Sequence, residues 1–199
     1  MKEIARRVIA PLITKRGPLG RIYLTFDDGP HPEGTPRILD TLDALGVKAT
    51  FFMVGTAIEQ NTGLAREVAA RGHSIGFHSY EHQHAGAQTL PAALRDLASM
   101  RALQEQLSAR LALYRPPYGE LTVLRLLWCF THGVKVVLWS LDSLDWRSAS
   151  SEEVVLRVAP QRVRDGDVIL FHDDAEVTAA ALPHVIENLK AAGFAFGAL

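Results

Sequence analysis

Short apolar runs alternate along this chain with longer segments in which apolar residues recur at helical spacing. This order is typical of repeated βα units, because each crossover helix returns the chain to a new parallel strand. The apolar runs predict seven strands, at residues 21–26, 49–54, 74–77, 113–115, 135–140, 167–171 and 194–199. The sequence therefore predicts an α/β fold with a largely parallel sheet.

The chain has 199 residues, of which 48% are hydrophobic and 22% are charged, and this composition is ordinary for a globular domain. The sequence shows no repeat, low-complexity tract or long linker, so we expect one domain at residues 21–199 after an N-terminal lead-in at residues 1–20. Apolar stripes at helical spacing in residues 90–111 and 182–189 are expected to face its core.

The formal net charge of -1 provides no positive field that would attract nucleic acid or an anionic membrane surface. The single cysteine, Cys129, cannot form an intrachain disulfide, and its apolar neighbours indicate a buried structural thiol. The first residues contain no apolar run long enough for a secretory or membrane-spanning segment. These features argue against a nucleic-acid partner and leave two compartments open, the cytoplasm or, for a trimmed form, the periplasm or cell exterior.

Six polar residues lie at or just beyond the carboxyl ends of predicted strands: Asp27, Asp28, His78, Arg115, Asp142 and His172. The carboxyl ends of parallel strands share one face of a barrel or an open sheet, and such folds place their catalytic groups there. We therefore expect an active site at this face.

A metal site is the first interpretation of this set. His78 and His82 are four positions apart, so one helical turn would present both imidazoles to the same ion. Asp27 and Asp28 follow the apolar residues 22–26, where the strand gives way to a loop and alternation no longer forces neighbouring side chains apart. One carboxylate can then bind a metal while the other stays free. The alternative is that the two acids only begin a turn.

A hydrolase that activates water on a metal needs a base to take a proton from the water and an acid to protonate the leaving group. Asp27 can be the base, because a nearby cation keeps it ionised, and His172 can be the acid if its pKa stays near neutral. Asp173 and Asp174 follow this histidine, and a carboxylate close to an imidazole raises its pKa.

The segment 142–146 offers two further carboxylates near the predicted site. Asp142 or Asp145 can orient the imidazole of His172 from across the site, and the sequence does not choose between them. The alternative is an ordinary loop pair that flanks a partly buried Trp146.

The segment 115–119 is predicted to form a stiff turn, because its two prolines fix their φ values and Gly119 permits an unusual backbone angle. Arg115 can bind a catalytic carboxylate with its planar guanidinium, and the backbone amide of Tyr118 can donate to a developing oxyanion. The alternative is a tight corner of the barrel without a catalytic role.

Five segments between positions 25 and 172 resemble, in order, the five motifs of the polysaccharide deacetylase family, which is family four of the carbohydrate esterases. The segments are Thr25-Phe26-Asp27-Asp28-Gly29-Pro30, His78-Ser79-Tyr80-Glu81-His82, Arg115-Pro116-Pro117-Tyr118-Gly119, Asp142-Ser143-Leu144-Asp145-Trp146 and Ile169-Leu170-Phe171-His172. Five motifs in one order make a specific match. The resemblance implies a distorted (β/α) barrel with about seven strands and a catalytic domain at residues 21–199.

The resemblance also implies roles for the site residues. It makes Asp28, His78 and His82 the ligands of a divalent metal, zinc first, with cobalt or nickel as alternatives. It makes Asp27 the base and Arg115 the residue that holds this base. It makes His172 the acid, with a pKa tuned by Asp142 or Asp145, and the Tyr118 amide the oxyanion donor. The catalytic set is complete, so we expect an active enzyme.

The expected substrate is a carbohydrate, held by Pro116, Tyr118, Trp146 and Leu170. The first hypothesis is hydrolysis of an N-acetylated amino sugar in peptidoglycan, chitin-like oligomers or an exopolysaccharide. The alternatives are a sugar-lipid deformylase or O-acetyl esterase of the same fold and, from another class, a sugar-binding protein that keeps a structural metal. The sequence does not identify the sugar or the oligomeric state.

Overall fold

The structure is a computed structural model that describes residues 13–109 and 111–199. Nine strands form one sheet, and every pair of neighbouring strands is parallel. The strands are β1 (Ile13–Thr14), β2 (Ile22–Asp27), β3 (Thr50–Met53), β4 (Ser74–Phe77), β5 (Leu113–Tyr114), β6 (Lys135–Val137), β7 (Leu141–Asp142), β8 (Val168–His172) and β9 (Phe196–Gly197).

The strand order is β1-β6-β5-β4-β3-β2-β8-β7, and β9 pairs with the first residues of β2. The chain crosses between the two edges of this sheet directly after β6. In that crossing the Leu138 amide donates to Thr14 O on β1 (2.8 Å), and the Ser140 amide donates to Val168 O on β8 (3.0 Å). The sheet is therefore curled into a barrel, which confirms the predicted distorted (β/α) fold.

Within residues 13–109 and 111–199 seven α-helices connect the strands, namely α1 (Gly34–Ala44), α2 (Gly55–Gln60), α3 (Thr62–Ala70), α4 (Leu90–Leu107), α5 (Val123–Thr131), α6 (Ser151–Arg157) and α7 (Glu176–Ala191). Alternate strand residues point outward and pack with buried helix residues, as Leu24 and Phe26 do. The intervening residues, such as Tyr23 on β2 and Phe52 on β3, fill the barrel interior. None of the helices in the described part of the chain has the length and apolar character needed to cross a bilayer.

The sheet differs from the sequence prediction at its edges. The strands β1 and β7 were not predicted, because two residues are too few to show a period-two pattern. The strand predicted at residues 135–140 is wrong after Val137, where the chain crosses to the other edge and resumes pairing as β7. The strand β1 lies within the predicted lead-in at residues 1–20, of which residues 1–12 lie outside the described residues.

Three buried phenylalanine rings, one each from β2, β3 and β8, stack on the outer face of the sheet. The Phe26 ring lies 5.0 Å from the ring of Phe51 and 5.7 Å from that of Phe171, measured between centroids. All three rings are almost completely buried. This stack joins the strands whose carboxyl ends carry the polar residues described below.

Phe51→Ala is expected to lower the free energy of unfolding by about 3–5 kcal/mol, because the change removes a buried ring and leaves a cavity. Leu156→Ala is the matched control, at a side chain that is 69% exposed, and should change this value by at most about 0.5 kcal/mol. Urea denaturation followed by circular dichroism measures both values. Equal losses in the two variants would contradict the placement of Phe51 in the core.

Candidate active site

The polar residues predicted at strand ends meet at one end of the barrel. Asp27, Asp142 and His172 are the last residues of β2, β7 and β8. The remaining three directly follow β2, β4 and β5, namely Asp28, His78 and Arg115. Since the strands are parallel, all six lie at the same edge of the sheet.

Asp27 and Asp28 face one cavity although they are neighbours in sequence. Strand alternation points Asp27 into the barrel, on the same face as Thr25. Asp28 has φ of 76°, in the left-handed region, so the alternation ends there. The change of backbone conformation places both carboxylates on the same side.

Arg115 is the fully buried partner of Asp27. Its Nη1 atom donates to Asp27 Oδ1 (2.6 Å) and to the hydroxyl of Thr25 (2.9 Å), while its guanidinium lies 4.0 Å from the ring centroid of Phe52. Burial raises the pKa of Asp27 above the usual carboxyl range, and the charges of Arg115 and His172 oppose that rise. Asp27 is therefore a stronger base than an exposed carboxylate, with one oxygen fixed by Arg115.

Asp28, His78 and His82 form a cluster whose ligand atoms all lie within 4.8 Å of one another. The Oδ1 atom of Asp28 lies 3.4 Å from Nε2 of His78 and 3.1 Å from Nε2 of His82. Ligands of a tetrahedral ion with bonds of about 2.0–2.1 Å are separated by about 3.3 Å, so these spacings suit a shared ion.

The surroundings of Asp28 also fit a bound cation. Its Oδ1 atom is buried and accepts no hydrogen bond from the part of the chain that the structure describes. An unpartnered buried carboxylate oxygen is costly, and a cation removes that cost. Two imidazoles and one carboxylate are a donor set used by catalytic zinc sites, so the residues present fit zinc or a similar divalent ion.

The ring of His78 is held in the form that a metal ligand requires. Its Nδ1 atom lies 2.7 Å from the carbonyl oxygen of Arg115. A carbonyl only accepts hydrogen bonds, so Nδ1 carries the proton and the lone pair of Nε2 faces Asp28. Burial lowers the pKa of His78 to about 3, which keeps the imidazole neutral at physiological pH.

The expected helical turn between His78 and His82 is wrong. Residues 78–82 form a loop in which Ser79 (φ 67°) and His82 (φ 52°) have left-handed backbone conformations. The Ser79 hydroxyl accepts from the His82 amide at 2.9 Å and closes the loop. The two imidazoles thus converge through a tight turn, with ring centroids 4.9 Å apart.

His172 is bonded to Asp145 through both its backbone and its side chain. Its amide donates to Asp145 Oδ2 (2.6 Å), and its Nδ1 lies 2.8 Å from Asp145 Oδ1. Burial acts to lower the pKa of His172, but the hydrogen bond and charge of Asp145, joined by Asp27 and Asp28, raise it to about 9. The imidazole is therefore protonated at neutral pH and suited to donate a proton.

Three other acids near this end of the barrel have different contacts. Asp142 lines the cavity and accepts from the Leu144 amide (2.8 Å), so the contact with His172 belongs to Asp145. Asp173 is not the carboxylate beside the imidazole either, because it is buried and accepts from the hydroxyl of Thr35. Asp174 lines the cavity without a hydrogen bond to His172 among the described residues.

The turn at residues 115–119 presents the backbone amide of Tyr118. The two preceding residues are prolines, and Tyr118 has φ of 56°. No acceptor in residues 13–109 or 111–199 is bonded to the Tyr118 amide. The amide is therefore free to donate to a bound molecule.

A cavity of about 540 Å³ lies over these groups. The residues that line it are Asp27, Asp28, His78, His82, Tyr118, Trp139, Asp142, Trp146, Leu170, His172 and Asp174. Three of the four predicted substrate contacts are among them, whereas Pro116 is buried and lies outside this lining. Trp139 was not assigned to the site, since an isolated Trp in an apolar run is equally typical of a core.

Other histidines have separate contacts in the described ranges of the chain. His31 accepts from the Gly34 amide, His73 accepts from the Ala49 amide and His132 stacks on Trp128. The His84 ring stacks on Tyr118 with a centroid distance of 3.6 Å. The cluster of Asp28, His78 and His82 includes none of them.

A distorted (β/α) barrel with an Asp-His-His cluster, a buried carboxylate and a protonated imidazole at its carboxyl face is an arrangement typical of barrel enzymes of the hydrolase class. Residues 14–137 match the family model described as polysaccharide deacetylase. The chain belongs to this family, which confirms the family predicted from the sequence.

The family includes relatives and solved structures similar to most of this chain. Peptidoglycan-N-acetylglucosamine deacetylase PgdA of Listeria monocytogenes is 34% identical over 190 residues, which are 95% of this chain but only 40% of that protein. A peptidoglycan-N-acetylglucosamine deacetylase of Bacillus cereus is 34% identical over 180 residues, 88% of this chain and 84% of that protein. The crystal structure of the Bc1960 peptidoglycan N-acetylglucosamine deacetylase, in complex with 4-naphthalen-1-yl-N-oxidanyl-benzamide, has a TM-score of 0.89 at 31% identity and covers 94% of this chain and 91% of that chain.

Asp145→Asn is expected to lower the pKa of His172 from about 9, because the variant lacks the negative charge that stabilises the imidazolium. Asp142→Asn is the control and should leave the pKa near that of the parent protein. Titration of the His172 ring proton by NMR, on metal-free protein, measures the three values. A pKa that falls in the Asp142 variant alone would contradict the assignment of Asp145.

The same pKa predicts how stability depends on pH. The folded-state pKa lies above the unfolded value of about 6.5, so the imidazolium stabilises the fold below that pH, and the contribution is lost as pH rises through about 9. The loss of stability between about pH 6.5 and about pH 9 should therefore be smaller in Asp145→Asn than in the parent protein.

Proposed function

We propose that this chain is a metal-dependent deacetylase that hydrolyses the N-acetyl group of N-acetylglucosamine units in a cell-wall polymer or its oligomers. One observation carries the proposal: an Asp-His-His cluster with the spacing of metal ligands, the buried carboxylate of Asp27 and the protonated imidazole of His172 all line one cavity. These are the groups that amide hydrolysis by activated water requires.

Asp28, His78 and His82 would hold the metal, with zinc as the first choice and cobalt or nickel as alternatives. When bound, the ion supplies Lewis acidity that activates water and polarises the acetyl carbonyl. His78 contributes an imidazole that burial keeps neutral, and the hydrogen bond that its Nδ1 donates to the Arg115 carbonyl leaves Nε2 as the ligand atom.

Asp27 is the proposed base. Its Oδ1 is held by Arg115, while Oδ2 lies 3.6 Å from Nε2 of His78 and thus beside the metal ligands. Oδ2 can take a proton from a water molecule that attacks the acetyl carbon. Arg115 fixes the orientation of the carboxylate and balances its charge in the buried interior.

His172 is the proposed acid, and Tyr118 is the proposed oxyanion donor. The imidazolium of His172 can donate a proton to the amine nitrogen as the carbon–nitrogen bond breaks, so that acetate and a free amine leave. Asp145 keeps that imidazole protonated and oriented. The free amide of Tyr118 can donate to the negative oxygen that develops on the acetyl carbon.

The cavity walls suit a sugar ring. Trp146 is exposed at the rim, while Trp139 and Leu170 line the same cavity and offer apolar surface. The relatives similar to this chain are named for N-acetylglucosamine in peptidoglycan, which supports that sugar as the substrate unit. The chain spans 40% of the Listeria relative, so the polymer and the partners of the whole protein are part of this proposal.

The zinc-loaded protein is expected to release acetate, and no formate, from oligomers of N-acetylglucosamine. Coupled enzymatic assays for the two acids measure the products, and a chelator-treated sample is the control. Removal of the metal should abolish acetate release, and zinc should restore it. Release of formate from an N-formylated sugar, with no acetate from the N-acetylated oligomers, would favour a deformylase of the same fold.

Asp27→Asn is expected to lower kcat by about 10²–10⁴-fold, because the variant cannot take up the proton of the attacking water. Its zinc content should stay near that of the parent protein, since Asp28 and the two imidazoles are unchanged. Asp40→Asn, which makes the same change at an exposed side chain on α1, is the control. Equal, low activity in the parent protein and the Asp27 variant would favour a sugar-binding module without turnover.

A further inference from the structure

The backbone of Tyr80, between the two histidines of the proposed metal site, forms hydrogen bonds with two different helices. Its amide donates to Asp96 Oδ1 on α4. Its carbonyl accepts from the Thr56 amide (2.9 Å), and the Ser79 carbonyl accepts from the Gly55 amide (2.9 Å), both in the first turn of α2. The loop at residues 78–82 is therefore hydrogen-bonded to both α2 and α4.

This loop has a backbone that needs such restraint. Ser79 and His82 both have positive φ values, which cost free energy for residues with a side chain. The conformation of these two residues determines where Nε2 of His82 lies relative to Asp28. A loop released from its contacts would relax, and His82 would no longer converge with the other two ligands.

Asp96 is an unexpected residue on the buried face of α4. The other strongly buried side chains of this helix are apolar, and Asp96 is only 7% exposed. Arg125, itself 1% exposed, has Nη2 3.8 Å from Asp96 Oδ2 and donates through that atom to the amide oxygen of Gln88 (2.5 Å). A buried acid beside a buried guanidinium carries a large desolvation cost, so packing alone does not account for it.

Arg125 also contacts the residue that follows the turn at residues 115–119. Its Nη1 donates to the carbonyl oxygen of Glu120 (3.5 Å), directly after the turn that presents the Tyr118 amide. One oxygen of Asp96 thus accepts from the loop at residues 78–82. Its other oxygen lies beside the guanidinium of Arg125, which contacts the residue after the turn at residues 115–119. No side chain of this group lines the cavity over the metal ligands.

We infer that Asp96 is a positioning residue for the metal site: its carboxylate fixes the Tyr80 peptide and thereby the place of His82. The inference rests on the proposed metal-dependent function, and it concerns the affinity of the site for zinc before any substrate is bound. Residues that orient metal ligands from behind typically change metal affinity by about 10–100-fold when they are replaced.

Asp96→Ala is expected to weaken zinc binding by about 10–100-fold, measured by competition with a chelator of known affinity on metal-free protein. Asp96→Asn keeps a carbonyl oxygen that can accept from the Tyr80 amide, so its zinc affinity should stay within about threefold of the parent value. Leu103→Ala, at a buried apolar residue of the same helix, is the control for general destabilisation. It should lower thermal stability and leave the zinc affinity unchanged.

A double variant separates positioning from the loss of charge balance. Asp96→Ala with Arg125→Met removes both buried charges and should recover thermal stability relative to Asp96→Ala alone. Its zinc affinity should remain reduced, because nothing accepts from the Tyr80 amide. Recovery of zinc affinity together with stability would overturn the inference, as would equal affinities in Asp96→Ala and the parent protein.

The two proposals fail in different ways. A parent protein that binds no zinc at this site would refute the metal-dependent function itself. If the parent protein binds one zinc ion and Asp96→Ala changes the zinc affinity no more than Leu103→Ala does, only the role of Asp96 is refuted.

Discussion

The site depends on how two adjacent carboxylates are kept together in a buried space. Asp27 and Asp28 end one strand and face one cavity, and like charges at this separation repel strongly when they are removed from water. Arg115 balances Asp27 through a direct ion pair inside the barrel. Asp28 has no arginine or lysine partner in the described chain, and the imidazoles of His78 and His82 lie beside its Oδ1 atom. The proposed divalent cation at Asp28 would complete the charge balance.

The barrel supplies this arrangement through strand register. Parallel pairing aligns Asp27 on β2 with His172 on β8, so the proposed base and acid lie on neighbouring strands. Period-two alternation places Thr25 below Asp27 on the interior face, where its hydroxyl accepts from Arg115. The apolar rings on the opposite face anchor these strands to the helices. Burial raises the pKa of Asp27, whereas Asp145 raises the pKa of His172 against the effect of burial, so each pKa moves in the direction that the proposed role needs.

Much of this could be predicted from the sequence, because five of the strands, β2, β4, β5, β7 and β8, end on or directly before a polar residue of the site. The apolar runs located the principal strands, and the five motifs identified the family. The sequence could not choose between Asp142 and Asp145, since the choice depends on how the turn at residues 143–145 directs each carboxylate. Leu144 has φ of 57° there, and its amide bonds to Asp142 while Asp145 reaches His172.

The features that the sequence did not indicate arise from tertiary contacts. The turn between His78 and His82 uses left-handed residues other than glycine, for which there is no local signal. Asp173 follows the proposed acid in sequence, yet its amide donates to the Asp27 carbonyl and its carboxylate accepts from the Thr35 hydroxyl, so it makes no hydrogen bond with the imidazole. Asp96 is one acid in a helix of mixed composition, and its burial and its contacts with Tyr80 and Arg125 distinguish it only in the folded structure.

Anomalous X-ray diffraction at the zinc edge, from crystals grown with one equivalent of zinc, tests the proposed charge balance most directly. The account predicts one anomalous peak about 2.0–2.2 Å from a carboxylate oxygen of Asp28 and from Nε2 of both His78 and His82. Asp27 should lie outside bonding distance of that peak and stay paired with Arg115. A peak bonded to Asp27, or one that lies away from the two imidazoles, would contradict it.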